Sequence, residues 1–175
     1  LFFGKEKQAD SVFAFIENNY LDTKNKATNI SAAPTVLSGI VYGDAWFLPG
    51  GQNYAARLLK DAGCRYLFAE TESNGFLELS FEAVYERARD ADLWIGTGSY
   101  RTLDEIAAAD QRYTRFKAFQ RGEVYNYDAR MGARGGNAFL ELGYLRPDLI
   151  LKDLVSIAHP GLVPDHTLFF HRKLH

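Results

Sequence analysis

The sequence predicts an α/β fold, a three-layer sandwich built on a mostly parallel central sheet. Three observations carry this. Short apolar runs of strand length stand at Thr35–Tyr42, Cys64–Ala69, Leu93–Gly98 and Val124–Tyr127. Stretches with apolar residues at helical spacing separate them, and strands alternating with helices of that length join in parallel through crossovers. The first run follows Pro34, precedes Gly43 and mixes Val, Leu and Ile without a charge, which suits a strand covered on both faces.

In chain order, Leu1 to about Leu21 reads as helix, with Ala9, Val12, Phe13, Ile16 and Tyr20 on one stripe. Asp22–Pro34 is polar and turn-rich, a connector. After the first strand, Gly43–Gly51 (GDAWFLPGG) reads as a loop, and it is unusually aromatic for one. Asn53–Ala62 has helical spacing and ends at Gly63, a good helix stop. The second strand follows from Cys64, and Glu70–Gly75 is loop-like. Ser80 is placed to cap a helix through its hydroxyl, with Ala83, Val84 and Ala88 inward. The third strand ends in glycines; Thr102–Ala109 and Gln111–Gln120 are short helices. Val124–Tyr127 is a strand, and Asp128–Gly136 a loop in which Arg130 and Arg134 alternate with glycines. Asn137–Tyr144 and Arg146–His159 read as helices, the second with Pro147 in its first turn. Thr167–Leu174 is apolar enough for an edge strand.

Length and composition bound the function. A chain of 175 residues that is 47% hydrophobic can bury a sizeable core, and one domain is the default. Its net charge of -2, with mixed signs, gives no case for nucleic acid or an anionic membrane as partner. No apolar run approaches the ~20 residues that span a bilayer. The chain opens at Leu1 rather than Met and reads as part of a longer protein, so a missing targeting segment is uninformative. The single cysteine, Cys64, excludes an internal disulfide and reads as a buried small hydrophobe. Tyr and Phe number 10 and 13, a surplus that suits either an ordinary core or a pocket for a large flat ligand.

Motifs for catalysis are thin. Ile95–Tyr100 (IGTGSY) places glycines between strand and helix, where backbone amides can face an anion. It lacks the third glycine of a dinucleotide fingerprint and the Lys-Ser/Thr of a nucleotide-triphosphate loop, so the signal is weak and a tight turn at the sheet edge explains it better. There is no Gly-x-Ser-x-Gly elbow. His159, His166, His171 and His175 form no helical i, i+4 ligand pair and read as solvated or capping groups; no metal site is expected. Arg130 and Arg134 stand in a flexible loop where a guanidinium fork can meet a carboxylate, a ligand's or the protein's own. Glu82 lies in the first turn of its helix, where the dipole favours a carboxylate. It is also a convenient docking tooth.

The runs Pro34–Gly39 and Phe47–Tyr54 (FLPGGQNY) resemble the C-terminal lobe of the periplasmic substrate-binding proteins of ABC importers for iron–siderophore complexes, haem and cobalamin. So do Leu79–Val84 (LSFEAV), Ala91–Ile95 (ADLWI) and the closing Arg146–Leu154 to His159-Pro160. The resemblance covers nearly the whole chain: residues 1–21 match part of the helix joining the two lobes, and 34–175 the α/β lobe. It implies a cleft whose share from this lobe is Asp44, Trp46 and Phe47, then Thr97, Ser99, Tyr100 and Arg101, then Arg130 and Arg134. It implies docking on the membrane permease through Glu82, and a ligand that is a ferric siderophore, haem or corrinoid. No chemistry and no resident cofactor are expected, and the protein would be a monomer, periplasmic or lipid-anchored at the outer face of the cytoplasmic membrane. The alternative from another class is a nucleotide- or sugar-phosphate-using α/β enzyme with its site at residues 96–99.

Overall fold

The computed structural model describes residues 4–28 and 30–175. The expected helical start at Leu1–Phe3 lies outside them. Helix α1 (Glu6–Ala27) runs past its expected end at Leu21 because Thr23 and Ala27 are buried. Tertiary contact thereby overrides a polar, connector-like sequence. The Tyr20 hydroxyl donates to Asp61 at 2.7 Å and Lys24 pairs with the same carboxylate at 3.0 Å, so the C-terminal half of α1 is anchored. Val12, Phe13 and Phe15 in its N-terminal half are more than half exposed.

The run from Thr35 is two strands. β1 (Thr35–Ser38) stops at Gly39, whose φ of 82° turns the chain into β2 (Ile40–Tyr42). A tight turn at Gly43-Asp44 leads into β3 (Ala45–Pro49), which pairs antiparallel with β2. The expected aromatic loop is therefore mostly strand. α2 (Tyr54–Asp61) follows, capped by Asn53, whose side chain accepts from the Ala55 amide at 2.9 Å. β4 (Arg65–Tyr66) is shorter than expected. β5 (Phe76–Leu79), unforeseen, pairs with β3 and completes a three-stranded antiparallel sheet, β2-β3-β5.

α3 (Phe81–Ala88) begins at Ser80, whose hydroxyl accepts from the Ala83 amide at 3.2 Å as expected. β6 (Leu93–Ile95), α4 (Leu103–Ala109), a 3-10 turn at Gln111–Arg115, α5 (Lys117–Gln120) and β7 (Val124–Asn126) follow. The stretch expected as one helix at Gln111–Gln120 is thus broken at Phe116. After the arginine-bearing loop come α6 (Ala138–Leu142), a 3-10 turn at Gly143–Leu145, α7 (Pro147–Ala158) and β8 (Arg172–Lys173).

The main sheet has the order β4-β1-β6-β7-β8, parallel except for the antiparallel edge strand β8. Strand alternation sends Trp94 to one face and Leu93 and Ile95 to the other. On the Trp94 face it meets Trp46, Tyr113 and Phe116, with ring centroids 5.5–5.7 Å apart. On the opposite side, Ile150 and Leu154 of α7 share a cleft with Ile95. Helical elements cover both faces of a central sheet, the three layers expected. The register is pinned where β1 and β6 begin: the Thr35 amide and hydroxyl donate to Asp92 Oδ2 at 2.9 and 2.7 Å, and Lys117 pairs with the other carboxylate oxygen at 2.8 Å.

Candidate functional site

β1 and β6 both end in glycine, Gly39 and Gly96, joined by the Gly39 amide donating to the Gly96 carbonyl at 3.2 Å. Without side chains there, the carboxyl ends of the two central strands leave room, and a cleft of about 480 Å³ opens beyond them. This is where an open α/β sheet binds ligands, and the volume suits a small-molecule site. Phe47 and Tyr42 of the hairpin β2–β3 form one wall, packed edge to face at 6.4 Å. Tyr54 at the start of α2 stacks on Tyr144 at 5.8 Å, and Tyr127 after β7 stacks on Phe139 at 4.6 Å. Burial, with Tyr144 adding for Tyr54 and Asp128 for Tyr127, raises both hydroxyls above their ordinary range, so both stay protonated at neutral pH. The Asn53 amide group holds the α2 wall by donating to the carbonyls of Asn74 and Gly75 at 3.2 and 3.1 Å.

Of the residues the sequence nominated, Phe47 lines this cleft. Trp46 does not: it is wholly buried, its Nε1 donating to the Ser38 carbonyl at 3.0 Å, because strand alternation in β3 turns it away from Phe47 into the core. Thr97 is likewise wholly buried, so its side chain cannot reach a ligand either. Asp44 is exposed in the turn between β2 and β3, and Ser99 and Arg101 are exposed beyond β6. Tyr100 is half-buried, its carbonyl held by Asn126 Nδ2 at 2.8 Å. Arg130 is exposed with its guanidinium 4.0 Å over the Phe169 ring and Nε donating to the Phe169 carbonyl, and Arg134 is exposed in the same loop. None of these six is among the residues lining the cleft, so the expected rim of guanidinium groups is not gathered there.

The polar group on the cleft floor is a histidine expected from the sequence to be solvated or capping. His171 lines the cleft and is 3% exposed. Its Nδ1 lies 3.1 Å from Oδ2 of Asp153, a wholly buried carboxylate on α7. Asp153 also accepts from the amides of Phe169, Phe170 and His171 at 2.7–2.9 Å and faces His166 Nε2 at 2.6 Å. Burial alone would raise this carboxyl; the His171 and His166 rings and the Phe169 amide outweigh it and hold it below the usual range. His171, buried, and His166, half-buried, are therefore partners of a carboxylate, not the solvated or capping groups expected. The signal was present: Asp153 stands beside Leu154 on the inward stripe of a helix that is otherwise apolar there. A charge in that place needs partners.

Glu82 is exposed in the first turn of α3, as expected. Arg112 Nη1 lies 3.1 Å from it, while Arg112 also pairs with Asp110 at 2.7 Å and lies 4.2 Å over the Phe81 ring. Among the described residues no group of three or more His, Cys, Asp or Glu is placed to hold a bare metal ion.

Residues 2–131 match the family described as periplasmic binding protein. The chain belongs to this family. It is a family of binding proteins, which sets aside the alternative of an enzyme at residues 96–99. The fold agrees with that of solved structures. The TroA-like periplasmic binding protein FepB of Veillonella parvula superposes with a TM-score of 0.72 at 15% identity, covering 98% of this chain and 58% of that one. The periplasmic heme-binding protein RhuT of Roseiflexus sp. RS-1 gives 0.67 at 18% identity, over 91% and 58%. The heme complex of IsdE from S. aureus gives 0.61 at 16% identity, over 90% and 59%. An uncharacterized lipoprotein of Methanocaldococcus jannaschii is 28% identical over 162 residues, 91% of this chain and 36% of that protein. The chain thus spans between about a third and three-fifths of the length of these relatives. No helix among the described residues is long and apolar enough to cross a membrane.

Proposed function

We propose that the chain is a ligand-binding lobe of an ABC-importer substrate-binding protein that holds an iron chelate, haem or a corrinoid and hands it to a membrane permease. The observation that carries this is the cleft at the ends of β1 and β6, walled by Phe47, Tyr54, Tyr127 and Phe139, in a chain of the periplasmic binding protein family. Stacked rings offer flat apolar area to a large ligand, and two protonated phenols offer hydrogen bonds. α1 is the bridge to a second lobe in this reading, and its exposed Val12, Phe13 and Phe15 are the surface that lobe covers. The protein works outside the cytoplasmic membrane, as a monomer, periplasmic or lipid-anchored.

Glu82 is the docking carboxylate in this reading. Its exposure and its weak hold by Arg112, which is shared with Asp110, leave it free to exchange that partner for a permease arginine. Asp44, Ser99, Tyr100, Arg101, Arg130 and Arg134 remain as rim positions that meet the outer part of a ligand too large for the cleft.

The test is titration of the full-length protein with ferric siderophores, haem and cobalamin by calorimetry, with uptake measured in cells. Saturable binding of one class is expected, and this chain alone binds the same ligand far more weakly. Glu82→Arg leaves affinity unchanged and abolishes uptake. Failure to bind any member of the panel overturns the proposal, and normal uptake by Glu82→Arg removes the docking role.

A further inference from the structure

Among the described residues that line the cleft there is no Lys, Arg, Asp or Glu. Formal charge enters beside it, on the small antiparallel sheet. In the pairing of β5 with β3, Glu78 stands directly opposite Phe47, and Phe76 directly opposite Pro49. Directly opposed residues share a face with their Cβ atoms about 5 Å apart, and alternation along β5 puts Glu78 on the face of Phe76. Phe47, Pro49 and Phe76 all line the cleft, so Glu78 is the charged residue of the face that forms this wall. The other face, with Trp46 and Leu48, is buried in the core. Glu78 and Phe76 are both exposed. Glu70 is held by Arg87 and Glu82 by Arg112, whereas Glu78 has no ion-pair partner among the described residues. Arg130 does not balance it, since its guanidinium is engaged by the ring and carbonyl of Phe169.

On the reading given above, we propose that Glu78 sets the sign of charge the cleft wall accepts, and that the ligand is a metal chelate with a cationic group, such as an ammonium, seated against Phe47 and Phe76. A ligand that covers these rings strips water from the carboxylate beside them. A positive group on the ligand offsets that loss, and a negative one adds repulsion to it. The quadrupoles of the two rings attract charge of the same sign as Glu78 does. A chelate bearing carboxylate charge at this end finds no cation among the described residues lining the cleft.

The full-length protein is titrated by calorimetry, at low and high salt, with ferrioxamine B, whose free amine is cationic, with its neutral N-acetyl derivative and with its anionic N-succinyl derivative. Only the charge at one end differs among the three. Cyanocobalamin and haem complete the panel. The Kd is expected to rise about threefold at each step from cation to neutral to anion, and the spread narrows as salt is raised. Glu78→Gln narrows the spread, and Glu78→Lys inverts it. Glu78 is exposed, so both variants should melt as the wild type does. The same order of affinity in the wild type and Glu78→Lys, or tighter binding of the anionic derivative by the wild type, overturns the role of Glu78. Binding of haem or cyanocobalamin to the exclusion of all three derivatives also overturns it and leaves the transport reading intact. Binding of none removes both.

Discussion

The indoles of Trp46 and Trp94 lie 5.6 Å apart, centroid to centroid, and donate to carbonyls of adjacent residues, Ser38 at 3.0 Å and Gly39 at 2.9 Å. That pair of hydrogen bonds clamps the point where β1 of the main sheet turns into β2 of the small antiparallel sheet. It fixes the hairpin bearing Phe47 and Tyr42 over the ends of the parallel strands, and so gives the cleft its wall.

Trp46→Phe keeps an aromatic ring in the core but leaves the buried Ser38 carbonyl without its donor. The expected loss is about 2–3 kcal/mol of stability, measured by urea unfolding. Trp46 is wholly buried away from the cleft, so any fall in ligand affinity should come only through the loosened hairpin wall and accompany the loss of stability. A drop in affinity with unaltered stability would place Trp46 in the site after all.

Gly39 is the hinge of the same junction. Its φ is 82°, and a Cβ there would stand 1.9 Å from the Phe47 carbonyl oxygen, a rigid backbone atom. Gly39→Ala therefore combines left-handed strain with a clash that only moving the hairpin relieves, a loss on the order of 3 kcal/mol. A change in melting temperature within error of zero would show that the hairpin is not seated on β1 in this way.

Phe47→Ala removes a half-buried ring from the cleft wall. Ligand affinity is expected to fall about tenfold or more, the worth of an aromatic contact in a desolvated pocket, with little loss of stability. Isothermal titration against whichever ligand the wild type binds reads this directly.

Asp92 sets the acid limb of the stability curve. Burial would raise its carboxyl, but Lys117 and the Thr35 amide and hydroxyl outweigh it and hold it at about 2, against an ordinary 3.8. A depressed carboxyl contributes stability above its ordinary value, and that contribution is lost as pH falls from the ordinary value through the folded one. Asp92→Asn should lower stability at neutral pH and flatten the decline between about pH 4 and pH 2. The group is partly exposed, so salt screens part of the effect. Identical acid-unfolding curves for the two proteins would contradict the ion pair's role.

The α/β alternation, the order of strands and helices, the Ser80 cap and the place of Glu82 were legible from residue order because each rests on a local period or a neighbour a few residues away. The kink at Gly39, the strand β5 and the helical extension to Ala27 were not, since each depends on a distant surface to pair with or pack against. The same limit governs the site. An aromatic run such as Ala45–Pro49 signals burial equally well for core and cleft, and only the pairing of β3 with β2 and β5 sends Trp46 inward and Phe47 to the cleft. Asp153 and His171 stand far apart in sequence, and what made them one unit was the return of the C-terminal segment to the sheet edge across α7. Local chemistry in the chain determined what could form. The long-range closure of the sheet, which alone brings separated side chains within hydrogen-bond reach, decided which residues line the cleft.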